Sequence, residues 1–441
     1  PRDGRALLTV PAARAGGGGS IDANWQASDD LLIRSITAYR TVDGYYQTDT
    51  DRTNLSIGAL VLPQYQDTFS QEFNFSGPAE DRWNWIGGLY YYHSKAGNPF
   101  FASYSGDAPT GTIVANYRNK VITESYAAFG ELTWNATDRL HLTAGGRYTS
   151  ESKDFTFADI VRAAGLRTGA ADETWNSPTY RLVARYDLAD DWNIYASIGN
   201  GFKSGVFNAG ALPAIPVEPE KIDAIEVGLK GRVGGVTLTG AVFSYDYSNI
   251  QVQGQTFIAG GAWVITLSNA AEAKVQGFEL GASGNLTDKL SFDVGLSALP
   301  KAKYQRFTGA QVFIPNATGG TTSTVPYDVS GSRIIRAPEV QANARLTYTE
   351  TVAQGQLDTS LSYSYNDGFY WQPGNFSPEG SYSLLNGRIA WTDPAGRMTY
   401  ALWANNLLNS KYSIYTASTG IGISEALAKP RLIGVDVSAR F

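Results

Sequence analysis

The chain has no cysteine, one methionine and two histidines in 441 residues. Lack of cysteine excludes disulfide staples and thiolate metal sites in any redox compartment. No run of about 18 apolar residues occurs, so no transmembrane helix can form, and a membrane location would require a closed barrel of strands. Basic residues are outnumbered, 35 Lys and Arg against 41 Asp and Glu. The net charge of −6 provides no positive field for nucleic acid. Signatures of catalysis are also missing. His93 and His141 are far apart, and neither an HExxH helix nor a Gly-x-Ser-x-Gly elbow is present. Gly199, Gly201 and Gly205 miss the dinucleotide spacing, and there is no Walker lysine. What the chain has in quantity is 26 Tyr, 19 Phe, 10 Trp and 47 Gly, residues that suit strands, tight turns and interfacial belts.

The last nine residues, IGVDVSARF, place Ile433, Val435, Val437, Ala439 and Phe441 on one face of an extended strand, and Gly434, Asp436, Ser438 and Arg440 on the other. The same period of two recurs upstream. Leu140, Leu142, Ala144 and Tyr148 oppose His141, Thr143 and Arg147; Ala342, Ala344 and Leu346 oppose Asn343 and Arg345; Leu385, Ile389 and Trp391 oppose Asn386 and Arg388. About seventeen such segments are predicted, many long enough to cross a bilayer at a tilt of roughly 45°.

Tight connections punctuate the segments at 28–30, 77–81, 135–139, 188–191, 231–235, 285–288, 352–355 and 392–396, each carrying Gly, Asp, Asn or Pro. Long ones lie near 45–61, 96–119, 152–174, 202–218, 253–262, 301–335, 367–379 and 409–427. Short and long alternate throughout. A soluble sandwich has no reason to collect every long loop at one end, whereas an outer-membrane barrel has short periplasmic turns and long external loops. The expected fold is therefore an all-β, antiparallel transmembrane barrel.

Residues 1–17 are expected to be the remnant of an external loop, with the barrel occupying 18–441. Gly16–Ser20 reads GGGGS, either a natural Gly-rich loop or a linker, and no apolar signal-peptide core follows the charged start. The odd strand count and the external start point to the C-terminal portion of a longer barrel, because single-chain bacterial barrels have even counts.

Several phrases resemble the TonB-dependent outer-membrane receptors. IRSITAYR at 33–40, FSQEFNFS at 69–76, GFKSGVFN at 201–208 followed by EPEKIDAIEVGLK at 218–230, NNLLNSKY at 405–412 and KPRLIGVDVSARF at 429–441 occur in the family's order. The resemblance implies about 17 of the family's 22 strands, with the plug domain and energy-coupling box absent from these residues. It implies a bacterial outer-membrane location and energy-coupled uptake of a bulky nutrient such as a ferric siderophore. No cofactor is implied. The implied partners are outer-membrane lipid and lipopolysaccharide, the barrel-assembly machinery through terminal Phe441, and an inner-membrane energy-coupling complex through the plug. A passive porin-like channel and a surface adhesin or structural barrel are the competing readings.

A barrel this wide needs a lumen filled by water or a plug. Arg147, Glu226, Lys230, Arg345, Arg388, Asp436 and Arg440 fall on polar faces and are expected to line it. Facing lipid at mid-depth, each would cost about 2–4 kcal/mol. Asn405 and Asn406 are expected to mark where a strand leaves the apolar zone, their amides tying adjacent backbone. Ligand contacts are expected from the aromatic loops, with Phe257, Trp263, Tyr370 and Trp371 as candidates. The Lys301, Lys303 and Arg306 cluster is a candidate for an anionic chelate or for lipopolysaccharide phosphates.

Overall fold

The computed structural model describes residues 12–49, 58–77, 82–106, 111–161, 166–208, 214–258, 262–317, 321–419 and 422–440. In chain order the strands begin with β1 (Ala12–Ser28), β2 (Leu31–Asp49), β3 (Gly58–Ser76), β4 (Trp83–Ser105), β5 (Thr112–Asn135), β6 (Leu140–Val161), β7 (Arg167–Ala189) and β8 (Trp192–Lys203). A short hairpin, β9 (Val206–Phe207) and β10 (Pro216–Val217), separates these from β11 (Glu220–Val233), β12 (Val236–Ile258), β13 (Ala262–Asn285) and β14 (Leu290–Arg306). Next come the hairpin β15 (Ala310–Pro315) and β16 (Thr321–Tyr327), then β17 (Val340–Val352) and β18 (Gly355–Asn366). The hairpin β19 (Phe369–Gln372) and β20 (Phe376–Glu379) precedes β21 (Tyr382–Thr392) and β22 (Met398–Asn405). The hairpin β23 (Ser413–Thr419) and β24 (Gly422–Leu427) precedes the last strand, β25 (Leu432–Ala439).

Seventeen strands form one sheet in which sequence neighbours pair antiparallel, from β1 through β8, then β11–β14, β17, β18, β21, β22 and β25. The four hairpins stand outside it, all at the end opposite the tight turns. A meander is what short turns enforce, since a two-residue connection can only join antiparallel neighbours. Gly234–Gly235 and Ala353–Gln354 are two such connections, and Gly234, Ala353 and Gln354 adopt the positive φ that the tight turn requires. With an odd number of strands β1 and β25 run in the same direction. Among the described residues neither pairs along its outer edge.

Partners directly opposite in an antiparallel pair share a face, so one side can be traced around the sheet. One row runs Leu182, Ile198, Ile225 and Ser244; the next level down runs Ala184, Ala196, Val227, Val242 and Phe278. Farther on, Leu346, Leu361 and Gly387 continue the same face, as do Ile389, Leu402 and Val435. These apolar side chains are open to their surroundings, Val435 at 71 % and Ile225 at 57 %. A soluble sheet buries such a face against a second layer. Here no second layer covers it among the described residues, and hydrocarbon is the medium that fits. Trp25, Trp83, Trp85 and Trp391 lie on this face near the tight turns, with Trp83 stacked on Trp134 at 5.5 Å, forming an interfacial belt.

Two expectations are corrected. Residues 12–17 are strand, not loop: β1 continues up to Ala12, pairing Gly16–Gly19 with Val42–Tyr39. At Gly16 and Gly18 the neighbour's backbone presses close, and a Cβ on Gly18 would lie 2.5 Å from the Tyr39 carbonyl oxygen, whereas Gly17 and Gly19 face open space. Residues 1–11 and Phe441 lie outside the described residues. The long connections are also shorter than expected, because much of 45–61, 96–119, 152–174 and 253–262 is continued strand. A 23-residue strand such as β4 extends roughly 75 Å, about twice what a bilayer crossing of 9–11 residues needs. Where the strands are long, from β2 to β7 and at β12 and β13, the upper half of the wall therefore stands above the membrane.

Candidate functional site: the lumen and its mouth

The inner face divides into a polar lower wall and an aromatic mouth. Near the tight turns, Glu131, His141, Arg181, Arg185, Asn193, Tyr195, Glu226 and Lys230 line an open hollow of about 610 Å³. His141 sits between Asn135 Oδ1 at 2.6 Å and Asp187 Oδ2 at 2.8 Å. The hydroxyls of Tyr195 and Tyr245 donate to Glu226 at 2.6 and 3.4 Å, and the Lys230 ammonium lies 5.3 Å from the Tyr195 ring centre. Arg147, higher up, is 5.3 and 5.5 Å from the rings of Tyr90 and Phe129 and donates to Thr149. Each of these charges thus has a ring, a hydroxyl or an opposite charge beside it, which lets it stand where the medium is water.

The polar residues proposed for the lumen fall where the register puts them. Arg147, Glu226, Lys230, Arg345, Arg388 and Asp436 all lie on the face opposite the hydrocarbon row. Arg440 follows β25, its backbone N–H donating to the Arg397 carbonyl at 2.8 Å.

Above the membrane the inner face turns apolar. Phe155, Phe157, Trp175 and Phe207 form one buried cluster, which folds the β9–β10 hairpin against β6 and β7. Lys153 clasps it: the ammonium donates to the Gly205 carbonyl at 2.5 Å, pairs with Glu151 at 2.9 Å and lies 5.6 Å from the Trp175 ring centre. Trp175 Nε1 donates to Glu218 at 3.1 Å. Gly205 must be glycine, since a Cβ would lie 2.3 Å from the Trp175 ring. Gln251 ties the same region to β12. Its side-chain amide donates to the carbonyls of Ser204 and Glu218, and its backbone N–H donates to Glu220. The phrases GFKSG and EPEKI therefore meet in one clasp, a role that their separation in the chain conceals.

A second cluster, Ala271, Ala273, Tyr304, Phe307, Ala310, Val312 and Val329, seats the β15–β16 hairpin on β13 and β14, with Tyr327 and Phe376 packed against it. Burial pushes the Tyr304 phenol above its ordinary pKa. Gln372, nearly fully buried, exchanges hydrogen bonds with the backbone of Phe313 and donates to Ser377 and Ser418. One amide thus joins three hairpins. Neither Gln251 nor Gln372 gives any signal in the sequence, because a lone glutamine carries no pattern.

The remaining candidates separate. Trp371 is held by Arg336, 4.8 Å from its ring centre, by a bond from Nε1 to Glu379 at 3.1 Å, and by edge contacts with Phe369 and Tyr415. Tyr370 accepts the Arg336 backbone N–H. Phe257 and Trp263 face each other across β12 and β13, and their side chains lie outside the described residues. Arg306 pairs with Glu272 at 2.5 Å and holds that carboxyl below its ordinary pKa. Lys301 and Lys303 are exposed, on the face that carries Phe278 and Leu280. The loop candidates therefore do not form one site. Asn406 is buried with a positive φ, bonding the backbone of Ser410 and Lys429 and tying β22 to the following loop; Asn405 ends β22 opposite Leu432.

This wall, with its oily exterior, polar lumen and inward-folded loops, can be set beside known proteins. Residues 7–407 match the family model described as TonB dependent receptor-like, beta-barrel. The chain belongs to that family. It is therefore a β-barrel chain of the bacterial outer membrane. The pesticin receptor of Yersinia pestis is 24% identical over 437 residues, covering 94% of this chain and 60% of the relative. The probable TonB-dependent siderophore receptor PiuA of Acinetobacter baumannii is 33% identical over 244 residues, 53% of this chain and 30% of that protein. Among solved structures, the ferric yersiniabactin uptake receptor FyuA from Yersinia pestis superposes with a TM-score of 0.83 at 20% identity, over 99% of this chain and 63% of FyuA. This chain thus spans about 60% of the length of the curated relatives that it matches across most of its own length.

Proposed function

We propose that this barrel takes part in energy-coupled uptake of a bulky metal chelate of the ferric-siderophore kind. The observation that carries the reading is the inward folding of the β9–β10 and β15–β16 hairpins, which build aromatic shelves above a polar lumen. A simple pore gains nothing from narrowing its mouth with apolar shelves. A receptor gains apolar surface that holds a chelate of low charge density before it descends into a hydrated passage. The uptake receptor with which the chain superposes, and the siderophore receptor among its relatives, support the same class of cargo. The partners in this reading are the chelate at the mouth, an inner-membrane energy-coupling complex acting through a plug, and the barrel-assembly machinery at Phe441.

The test is growth of an iron-starved deletion strain carrying the natural gene, supplied with a panel of ferric chelates. Rescue by one chelate, lost when the inner-membrane energy complex is deleted, is the expected result. Rescue that survives that deletion would refute energy coupling, and failure with every chelate would refute the cargo class. The paired charges along the lower lumen favour a second reading, a passive hydrated channel. That reading requires steady conductance in planar bilayers, where a plugged receptor passes little current.

A further inference from the structure

We propose that Lys301 and Lys303 form a binding site for the phosphate groups of the outer-leaflet glycolipid. A register shift decides their direction. Two steps along β13, from Gln276 to Phe278, are matched by three along β14, from Lys301 to Ala298. The extra residue is a β-bulge, and it inverts the side-chain alternation above it. Below it, Val294, Leu296 and Ala298 share a face with Ala282, Leu280 and Phe278, the hydrocarbon side; above it, Ala302 and Tyr304 turn inward into the loop core. Lys301 and Lys303 are thereby put outside, opposite Gln276 and Lys274. Without the bulge both lysines would face the mouth and Tyr304 would be left in the open.

Their height fits a headgroup. β14 rises from the tight turn at Leu290, and about 9–11 tilted residues cross the apolar layer. Leu290 to Ala298 fills that span, so Lys301 and Lys303 emerge just above it, where lipid phosphates lie. Long lysine stems can lie along the apolar band while the ammonium reaches the phosphate. The neighbouring charges do not cancel them. Lys274 is paired with Asp246 at 2.9 Å and Arg306 with Glu272, whereas no ion pair to Lys301 or Lys303 occurs among the described residues.

The experiment is native mass spectrometry of the full-length receptor purified from outer membranes, wild type against K301A/K303A, titrated with lipid A and with its dephosphorylated form. A Lys289→Ala variant, at the opposite rim beside the 286–289 turn, serves as control, and unchanged thermal unfolding shows that each variant folds. At about 1 kcal/mol per lysine near an anionic surface, and tenfold per 1.4 kcal/mol, the double variant should bind phosphorylated lipid A roughly 30-fold more weakly. Dephosphorylated lipid should bind both proteins alike. Equal retention of phosphorylated lipid by wild type and double variant overturns the assignment. So does an equal loss in Lys289→Ala, or a parallel loss with dephosphorylated lipid. Displacement by phosphatidylglycerol at equal mole fraction would overturn the assignment to the glycolipid.

Discussion

Arginine placed on adjacent registers of one strand pair should separate the two faces of the wall. Val227 on β11 faces outward at mid-depth, six residues above the end of its strand, and is 40 % exposed to what lies outside. Ser197 on β8 lies one register step away, at the same depth, opposite Glu226 on the lumen side. Val227→Arg forces a guanidinium into hydrocarbon, which costs about 2–4 kcal/mol at the midplane. That is roughly a 30- to 1,000-fold shift in the folding equilibrium. Ser197→Arg puts the same group into water beside a carboxylate, so its cost should be within about 0.5 kcal/mol of zero, the usual range for a surface change. The assay is denaturant-dependent folding of the full-length protein into phospholipid vesicles, followed by tryptophan fluorescence and gel mobility. Equal costs for the two substitutions, or a larger cost for Ser197→Arg, would refute the assignment of the faces.

Other substitutions probe the mouth. Gln372→Leu strands the Phe313 backbone groups and should cost about 1–3 kcal/mol, seen as coordinated loss of amide-exchange protection in all three hairpins that Gln372 joins. Trp175→Ala empties the β9–β10 cluster, with about 3–5 kcal/mol lost locally, and limited proteolysis should then nick the chain between 203 and 216. Asn406→Gly keeps the positive φ but loses the amide bonds, so its unfolding midpoint should fall between those of wild type and Asn406→Ala. The Arg306 guanidinium lowers the Glu272 carboxyl, and the Ser330 hydroxyl and N–H lower that of Asp328. Both contributions are present at neutral pH and vanish as pH falls through the depressed values, below the ordinary carboxylate range. Exchange protection around 305–308 and 328–332 should therefore hold from pH 7 to pH 5 and drop only in stronger acid.

Much of the wall was legible because lipid imposes a period of two that survives in a single sequence. Ile433, Val435 and Val437 had to share a face, and the tight turn at 234–235 carries the glycine that positive φ favours, whereas the turn at 353–354 places Ala353 and Gln354 there without that signal. The mouth was less legible. There the strands continue into water with aromatic loops packed on their inner face, no hydrocarbon enforces the alternation, and β4, β5 and β12 run on past the ends that the sequence predicts. Gly16–Gly19 carries no strand signal because glycine has little strand preference, yet the neighbouring backbone selects it at Gly16 and Gly18. The bulge opposite Gly277 falls at Leu299 and Pro300, where alternation breaks at a proline, and it decides which way Lys301 and Lys303 point. Trp371, a candidate ligand contact in the sequence, is held by Glu379 and Phe369 of its own hairpin and by Arg336 and Tyr415 of other segments, which no pattern in the sequence brings together.

The central claim is that one face of each wall strand touches hydrocarbon and the other a water-filled lumen. Because this chain has no cysteine of its own, single cysteines at positions 223 to 230 of β11 can carry a nitroxide without background from it. In bilayers, relaxation by dissolved oxygen should peak at positions 225, 227 and 229, and relaxation by a water-soluble nickel chelate at 224, 226 and 228. A flat profile, or one in which both probes peak at the same positions, would contradict the account.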